Sequence, residues 1–98
     1  MYFEFMSKAF LVYGHYNDKS FNAAIKDTFI ETAKKLGHTV DCVDLYKENF
    51  NPIFAGEKPD ETVLDHRKRI EEADAIVLIA PIWNFRMPAI VEGWIDKV

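Results

Sequence analysis

Two short stretches of this sequence carry residue types suited to holding an anion and a flat ring. The first, Gly14 to Ser20, delivers Ser20, Phe21, Asn22 and Ala23 to what reads as the start of a helix. Free backbone N–H groups and the helix dipole at such an end favour negative charge, so a phosphate or pyrophosphate is the fitting guest. The side chains of Ser20 and Asn22 add donors, and His15 could add another. An ordinary capped helix start accounts for the same spacing equally well. The second stretch, Pro81-Ile82-Trp83-Asn84-Phe85-Arg86, follows an apolar run and sets two aromatics beside an amide. A planar heterocycle is held by flat apolar faces and a few amide or backbone hydrogen bonds. Composition alone favours a plainer role for Trp83 and Phe85, the packing of the domain. Neither G-x-G-x-x-G nor a G-x-x-x-x-G-K followed by Ser or Thr occurs, so this is neither a dinucleotide Rossmann fingerprint nor a P-loop.

The remaining candidates are weaker. His38, beside Gly37 at a helix exit, reads as a solvent-facing residue whose charge suits the dipole. His66-Arg67-Lys68-Arg69 is ringed by Asp60, Glu61, Asp65, Glu71 and Glu72 and reads as a solvated helix face. Cys42 sits mid-strand with no His or acid pattern beside it, as a small core hydrophobe would. Tyr46, Phe50 and Phe54 read first as packing residues, with a pocket or dimer surface as the other option. No pairing of Cys and His has zinc spacing, so no metal site is expected.

These stretches need elements to position them. Ala9 to Tyr13 is a continuous apolar run ended by Gly14, the pattern of a strand buried on both faces. Ser20 caps a helix in which Phe21, Ile25, Thr28, Phe29, Thr32 and Leu36 recur at helical spacing, with Lys26, Asp27, Glu31, Lys34 and Lys35 outward. Gly37 ends it, and Thr39 to Asp44 reads as a second strand. Leu45 to Pro59 is a long ordered loop. Asp60 caps a helix running to about Ala73, with Val63, Leu64, Ile70 and Ala73 as its apolar positions. Ala75 to Ala80 is a third strand, and Pro88 opens a last amphipathic helix.

Alternation of strand and helix predicts an α/β fold: a parallel sheet with helices on both faces. With strand order 2-1-3, a ligand belongs at the carboxyl ends of strands one and three, where the order reverses. The two chemistry-bearing stretches border that crevice. Trp83 and Phe85 are therefore expected to approach the carboxyl end of the first strand near Gly14. Three strands and three helices are few for this architecture, and the chain reads as the front half of a larger domain.

Composition narrows the function. Ninety-eight residues allow one domain, and a formal net charge of −4 makes binding to a nucleic-acid backbone unfavourable. The single cysteine points to a reducing, cytoplasmic setting. The longest apolar run, Ala75 to Trp83, falls well short of the roughly 20 residues that span a bilayer, so no membrane insertion is expected.

Three segments together carry a resemblance: HYNDKSFNAA (His15 to Ala24), DLYKENFNPI (Asp44 to Ile53) and APIWNFRMPAIVEGWIDKV (Ala80 to Val98). In this order and spacing the chain resembles the flavodoxin-like NAD(P)H:quinone oxidoreductases of the DT-diaphorase type. The resemblance implies a flavodoxin-like sheet truncated before its fourth strand, with residues 1–98 as the N-terminal portion of one domain and 1–7 as a loosely attached leader. It implies that His15, Ser20, Phe21, Asn22 and Ala24 hold the phosphate and ribityl end of a flavin. Pro81, Ile82, Trp83, Asn84 and Phe85 would line its isoalloxazine ring. The Trp-Asn-Phe wording is similar to that of the FMN-dependent azoreductases, so FAD and FMN both stay open. The implied activity is hydride transfer from NAD(P)H through flavin to a quinone-like acceptor, by a homodimer, with no catalytic side chain of its own in this chain. A non-catalytic half-domain that pairs with another chain is the alternative reading.

Overall fold

Four consecutive residues, Phe10 to Tyr13, are wholly buried, and the rest of the chain is arranged around them. The computed structural model describes residues 6–98, so most of the expected leader over 1–7 lies outside the described residues. The elements are β1 (Lys8–Tyr13), α1 (Phe21–Lys35), β2 (Thr39–Asp44), α2 (Glu61–Glu71), β3 (Ala75–Ile79) and α3 (Ala89–Lys97). Among the described residues the sheet has the order β2-β1-β3, all parallel, with Leu11 opposite Cys42 on one side and Val77 on the other. This is the expected topology.

Alternation along the strands divides the core in two. Leu11, Tyr13, Val40, Val77 and Ile79 pack with Ala23, Phe29 and Ile30 of α1. Phe10, Val12 and Val43 pack on the opposite face with Val63 of α2, Val91 and Trp94 of α3, and Leu45 and Phe50 from the long loop. Side-chain caps start α1 and α2: Ser20 Oγ accepts from Ala23 N at 3.0 Å and Asp60 Oδ1 from Val63 N at 2.9 Å. Pro88 precedes α3 as its N-cap rather than opening it, its carbonyl accepting from Glu92 N at 3.0 Å. At the opposite edge of the sheet Asp74 ties β3 to β1, accepting from Lys8 N at 2.8 Å and donating its own N–H to Lys8 O at 2.7 Å.

Two glycines set how closely α3 approaches. A Cβ on Gly14 would collide with Val91 Cγ2, and one on Gly93 would collide with the carbonyl oxygen, Cα and Cβ of Pro52. α3 is thereby pressed against both β1 and the long loop.

Several sequence readings need correction. Only part of the expected apolar stripe of α1 packs: Phe29 meets the sheet, but Phe21 is 81% exposed and Ile25 and Leu36 are also exposed, and Ala23, Ile30 and the stem of Lys26 complete the packed face. The Lys26 ammonium lies 4.6 Å from the Tyr13 ring centroid, so this lysine snorkels inward over the ring rather than facing out. Cys42 is exposed, because β2 is an edge strand and a mid-strand side chain there has neighbours on one side only. His38 is half-buried and its Nδ1 accepts from Ser7 N at 3.0 Å; it closes the start of β1.

The largest departure is His66. It is 1% exposed, accepts at Nδ1 from Trp94 Nε1 at 3.0 Å, and stacks on Phe50 with centroids 5.9 Å apart. Its Nε2 lies 3.4 Å from Glu48 Oε1. Arg69 is also more than a solvated charge: it makes two hydrogen bonds to Asp41, at 2.6 and 2.9 Å, and sits over the Phe10 ring. Those bonds hold the Asp41 carboxyl below its ordinary range.

β3 is an edge among the described residues, and Ile76 and Leu78 are exposed on it. With no charge or proline between Ala75 and Ile79, nothing blunts this edge against pairing. The 98-residue chain is therefore expected to run as a dimer or larger by size-exclusion chromatography with light scattering, and Ile76→Lys to shift it toward monomer. A wild-type monomer with cooperative unfolding would show that the edge is tolerated. The close approach at Gly93 gives a second expectation. Gly93→Ala forces α3 off Pro52 and is expected to destabilise by about 1–3 kcal/mol in denaturant titration, the usual cost of overpacking.

Candidate functional site

The carboxyl ends of β1 and β3 are stitched into their loops by backbone bonds. Gly14 N donates to Ile79 O at 2.9 Å, and Leu45 N donates to Tyr13 O at 3.1 Å. From this end emerge three segments: 14–20, 45–50 and 81–87.

Residues 14–20 form a loop hydrogen-bonded within itself. His15 Nδ1 accepts from Asn17 N at 2.9 Å, Asn17 Oδ1 accepts from Lys19 N at 2.9 Å, and the Asn17 carbonyl accepts from Ser20 N at 3.2 Å and from the Tyr13 hydroxyl at 3.1 Å. With Nδ1 accepting, a neutral His15 carries its proton on Nε2, a donor free for other use. Ser20 is different. Its oxygen accepts from Ala23 N and lies 3.2 Å from the Tyr13 oxygen, so when Tyr13 donates to Asn17 the Ser20 proton goes to Tyr13. Ser20 thus caps and braces the helix start. The backbone N–H groups of Phe21 and Asn22 in the first turn make no hydrogen bond to any described residue, and Asn22 and Ala24 stand beside them, half-buried and exposed. That pair of unspent donors is what an anion would meet.

Residues 81–87 fold into a tight hairpin. Trp83 N donates to Arg86 O at 2.8 Å and Arg86 N to Trp83 O at 3.2 Å, with Asn84 and Phe85 at the turn. Both turn residues have positive φ, 51° and 66°, the requirement of a type I′ turn. Asn tolerates that region well; an aromatic side chain does not. Phe85 is nevertheless fully exposed, so no packing compensates the strain there. Pro81 is half-buried, while Ile82 and Asn84 are exposed.

The structure brings some of the expected residues together and leaves others apart. Trp83 does reach the end of β1: its ring centroid is 5.8 Å from that of His15. Phe85 does not pack there but projects into solvent, because the left-handed turn swings it outward. Phe21 likewise points into solvent at the start of α1. Neither Trp83, 40% exposed, nor Phe85 behaves as the core aromatic that composition favoured.

Two residues outside the expected set belong to this edge. Tyr16 stacks on His15 at 4.7 Å and lies 6.0 Å from Trp83, and Tyr46 meets Tyr16 edge-on at 6.3 Å. Burial, with a smaller push from Tyr16, raises the Tyr46 phenol above its ordinary range. Lys47 adds an exposed ion pair to Asp18 at 3.0 Å, tethering the 45–50 segment to the first loop. No cluster of His, Cys, Asp or Glu able to hold a metal exists among the described residues.

Comparison with known proteins gives a consistent pattern. A family model described as the flavodoxin-like fold matches residues 7–98. A ribosyldihydronicotinamide dehydrogenase (quinone) of Mus musculus is 32% identical over 93% of this chain and 50% of its own length. NAD(P)H dehydrogenase (quinone) 1 of Rattus norvegicus is 30% identical over 93% of this chain and 42% of its own. Among solved structures, an NAD(P)H:quinone oxidoreductase from Methanothermobacter marburgensis superposes with a TM-score of 0.89 at 30% identity, covering 95% of this chain and 53% of that one. The chain thus spans about half the length of the relatives it matches.

The unsupported strain at the hairpin tip is testable. Phe85→Gly removes a left-handed aromatic that packs on nothing, and is expected to raise stability by up to about 1 kcal/mol, seen as a small increase in Tm. A loss of stability would mean that Phe85 is held by contacts the structure does not contain.

Proposed function

Because the chain belongs to the flavodoxin-like fold family, we propose that it is the flavin-holding N-terminal portion of an NAD(P)H:quinone oxidoreductase. A bound flavin supplies the hydride chemistry, accepting from NAD(P)H and passing on to a quinone-like acceptor. The protein's part is to bind and orient. Phe21 and Asn22 present two unspent backbone N–H groups, and His15 a free Nε2, toward the place of a phosphate. Ser20 holds that helix end rigid through its cap, the Asn22 side chain adds a donor, and Ala24 leaves room beside them. Pro81, Ile82, Trp83, Asn84 and Phe85 form the wall for the ring, with Phe85 and Ile82 exposed for contact.

The observation that carries this reading is the meeting of Trp83 with His15 across the carboxyl ends of β1 and β3. Two loops distant in sequence and suited to the two ends of a flavin share one edge. A capped helix start and two packing aromatics would not require that. The finer points follow the same reading: either FAD or FMN, NADH or NADPH as donor, a homodimer as the working unit, and a reducing cytoplasmic setting suited to the lone Cys42. Among the described residues no helix is long and apolar enough to cross a membrane. The exposed edge of β3 favours a second reading, a non-catalytic module completed by another chain.

Flavin titration decides between them. Ser20→Ala, which removes the cap that holds the helix end, with Asn22→Ala, which removes a side-chain donor, is expected to weaken FMN or FAD binding by about 1–3 kcal/mol, the range for a lost hydrogen bond to a charged group. Unchanged affinity in the double variant would remove this helix end from the site. No yellow complex and no NAD(P)H oxidation with the wild-type chain would favour the module.

A further inference from the structure

The aromatic cluster at the carboxyl edge holds more than the ring wall. Tyr16 is the residue common to its contacts: it touches His15 on its own loop, Trp83 on the hairpin and Tyr46 after β2. Each of these three segments is rigid within itself. The first loop is fixed by the Asn17 and His15 hydrogen bonds, the hairpin by its paired Trp83–Arg86 bonds, and the 45–50 turn by Phe50 N donating to Leu45 O at 3.0 Å. Between the first loop and the hairpin, beyond the Gly14–Ile79 bond at the base, the described residues are joined by the ring contacts of His15 and Tyr16 with Trp83. Tyr16 is 68% exposed, so it contributes little to the core. A residue that joins three rigid segments while burying little surface acts on their relative placement more than on stability.

We propose that Tyr16 is a positioning residue that sets the distance between the anion-binding helix end and the hairpin that walls the ring. The proposal rests on the flavin reading above. The flat stack on His15 fixes where the Tyr16 ring stands, and its tilted contact with Trp83, at 46°, stops the hairpin at a set separation. Tyr46 closes the far side edge-on at 71°. Removing the ring leaves the hairpin held at its base and by the single edge contact of Trp83 with His15, which has lost its own stacking partner, so a molecule that spans both loops loses the match between its two ends. The phenol oxygen plays no part in this, since every contact is made by the ring.

The test compares Tyr16→Ala with Tyr16→Phe in the full chain, with FMN and FAD as probes. Tyr16→Ala is expected to weaken flavin binding at least tenfold and to alter the Trp83 component of the near-ultraviolet circular dichroism, defined as the difference between wild type and Trp83→Phe. Tyr16→Phe is expected to keep both within twofold, and the thermal midpoint of either variant to stay near that of wild type. If Tyr16→Ala changes the Trp83 signal while flavin affinity holds, or leaves the Trp83 signal untouched, the positioning role is overturned and the flavin reading stands. Should the wild-type chain itself bind neither FMN nor FAD, the flavin reading falls and this proposal with it. A matching loss in Tyr16→Phe would assign the effect to the hydroxyl and likewise overturn it.

Discussion

A strand with both faces buried must find partners for every backbone N–H and C=O from its two neighbours, since water reaches neither side. Phe10 to Tyr13 form such a strand, and much of the fold follows from satisfying it. β2 supplies one ladder and β3 the other. Because both pairings are parallel, each needs a crossover, and the crossovers are the helices that cover the two faces. The same arrangement brings three loops out at one end of the sheet. The position of the candidate site is thus a by-product of how β1 is buried.

What could be read from the sequence, and what could not, divides along physical lines. The strands and helix starts were legible because continuous apolar runs, Ser20, Asp60 and Gly37 act locally. The strand order and the two facing loops also followed, since few topologies accommodate three such strands. The α1 stripe misled because helical spacing reports an apolar face but not whether anything lies against it; Phe21, Ile25 and Leu36 lie on a face the described residues leave open. His66 was misjudged from its charged neighbours in sequence. Its spacing from Val63 and Ile70, three and four residues, is that of the buried row, and this signal was available. Tyr16 had no such signal. Its place depends on ring contacts between segments 30 and 67 positions apart.

The two halves of the molecule are built by different rules. Below the sheet's carboxyl edge, polar groups are matched: His66 to Trp94, Arg69 to Asp41, Lys97 to the Asn51 carbonyl at 2.9 Å, with no buried side-chain polar atom left unpaired among the described residues. At the edge itself, two helix N–H groups are unspent, an aromatic residue is strained and fully exposed, and Tyr16 stands largely in solvent. On the reading proposed above, these unspent donors and exposed rings are what a bound flavin would complete. The matched core gives the edge the rigidity to keep that incomplete state.

The clamp between Lys8 and Asp74 also bears on how the protein is made. These partners lie 66 residues apart, so β1 leaves the ribosome long before the strand that closes its second side exists. At roughly 5–20 residues per second, the central strand waits on the order of several seconds with one ladder of hydrogen bonds unmade. Parallel pairing across such separations is slow in any case, because the intervening loop must be closed before any contact rewards it. During that interval the strand that ends up most deeply buried in the fold presents an open edge. Synthesis thus adds an exposed edge of its own to the one that β3 keeps in the folded chain, and is a period in which a chaperone would matter.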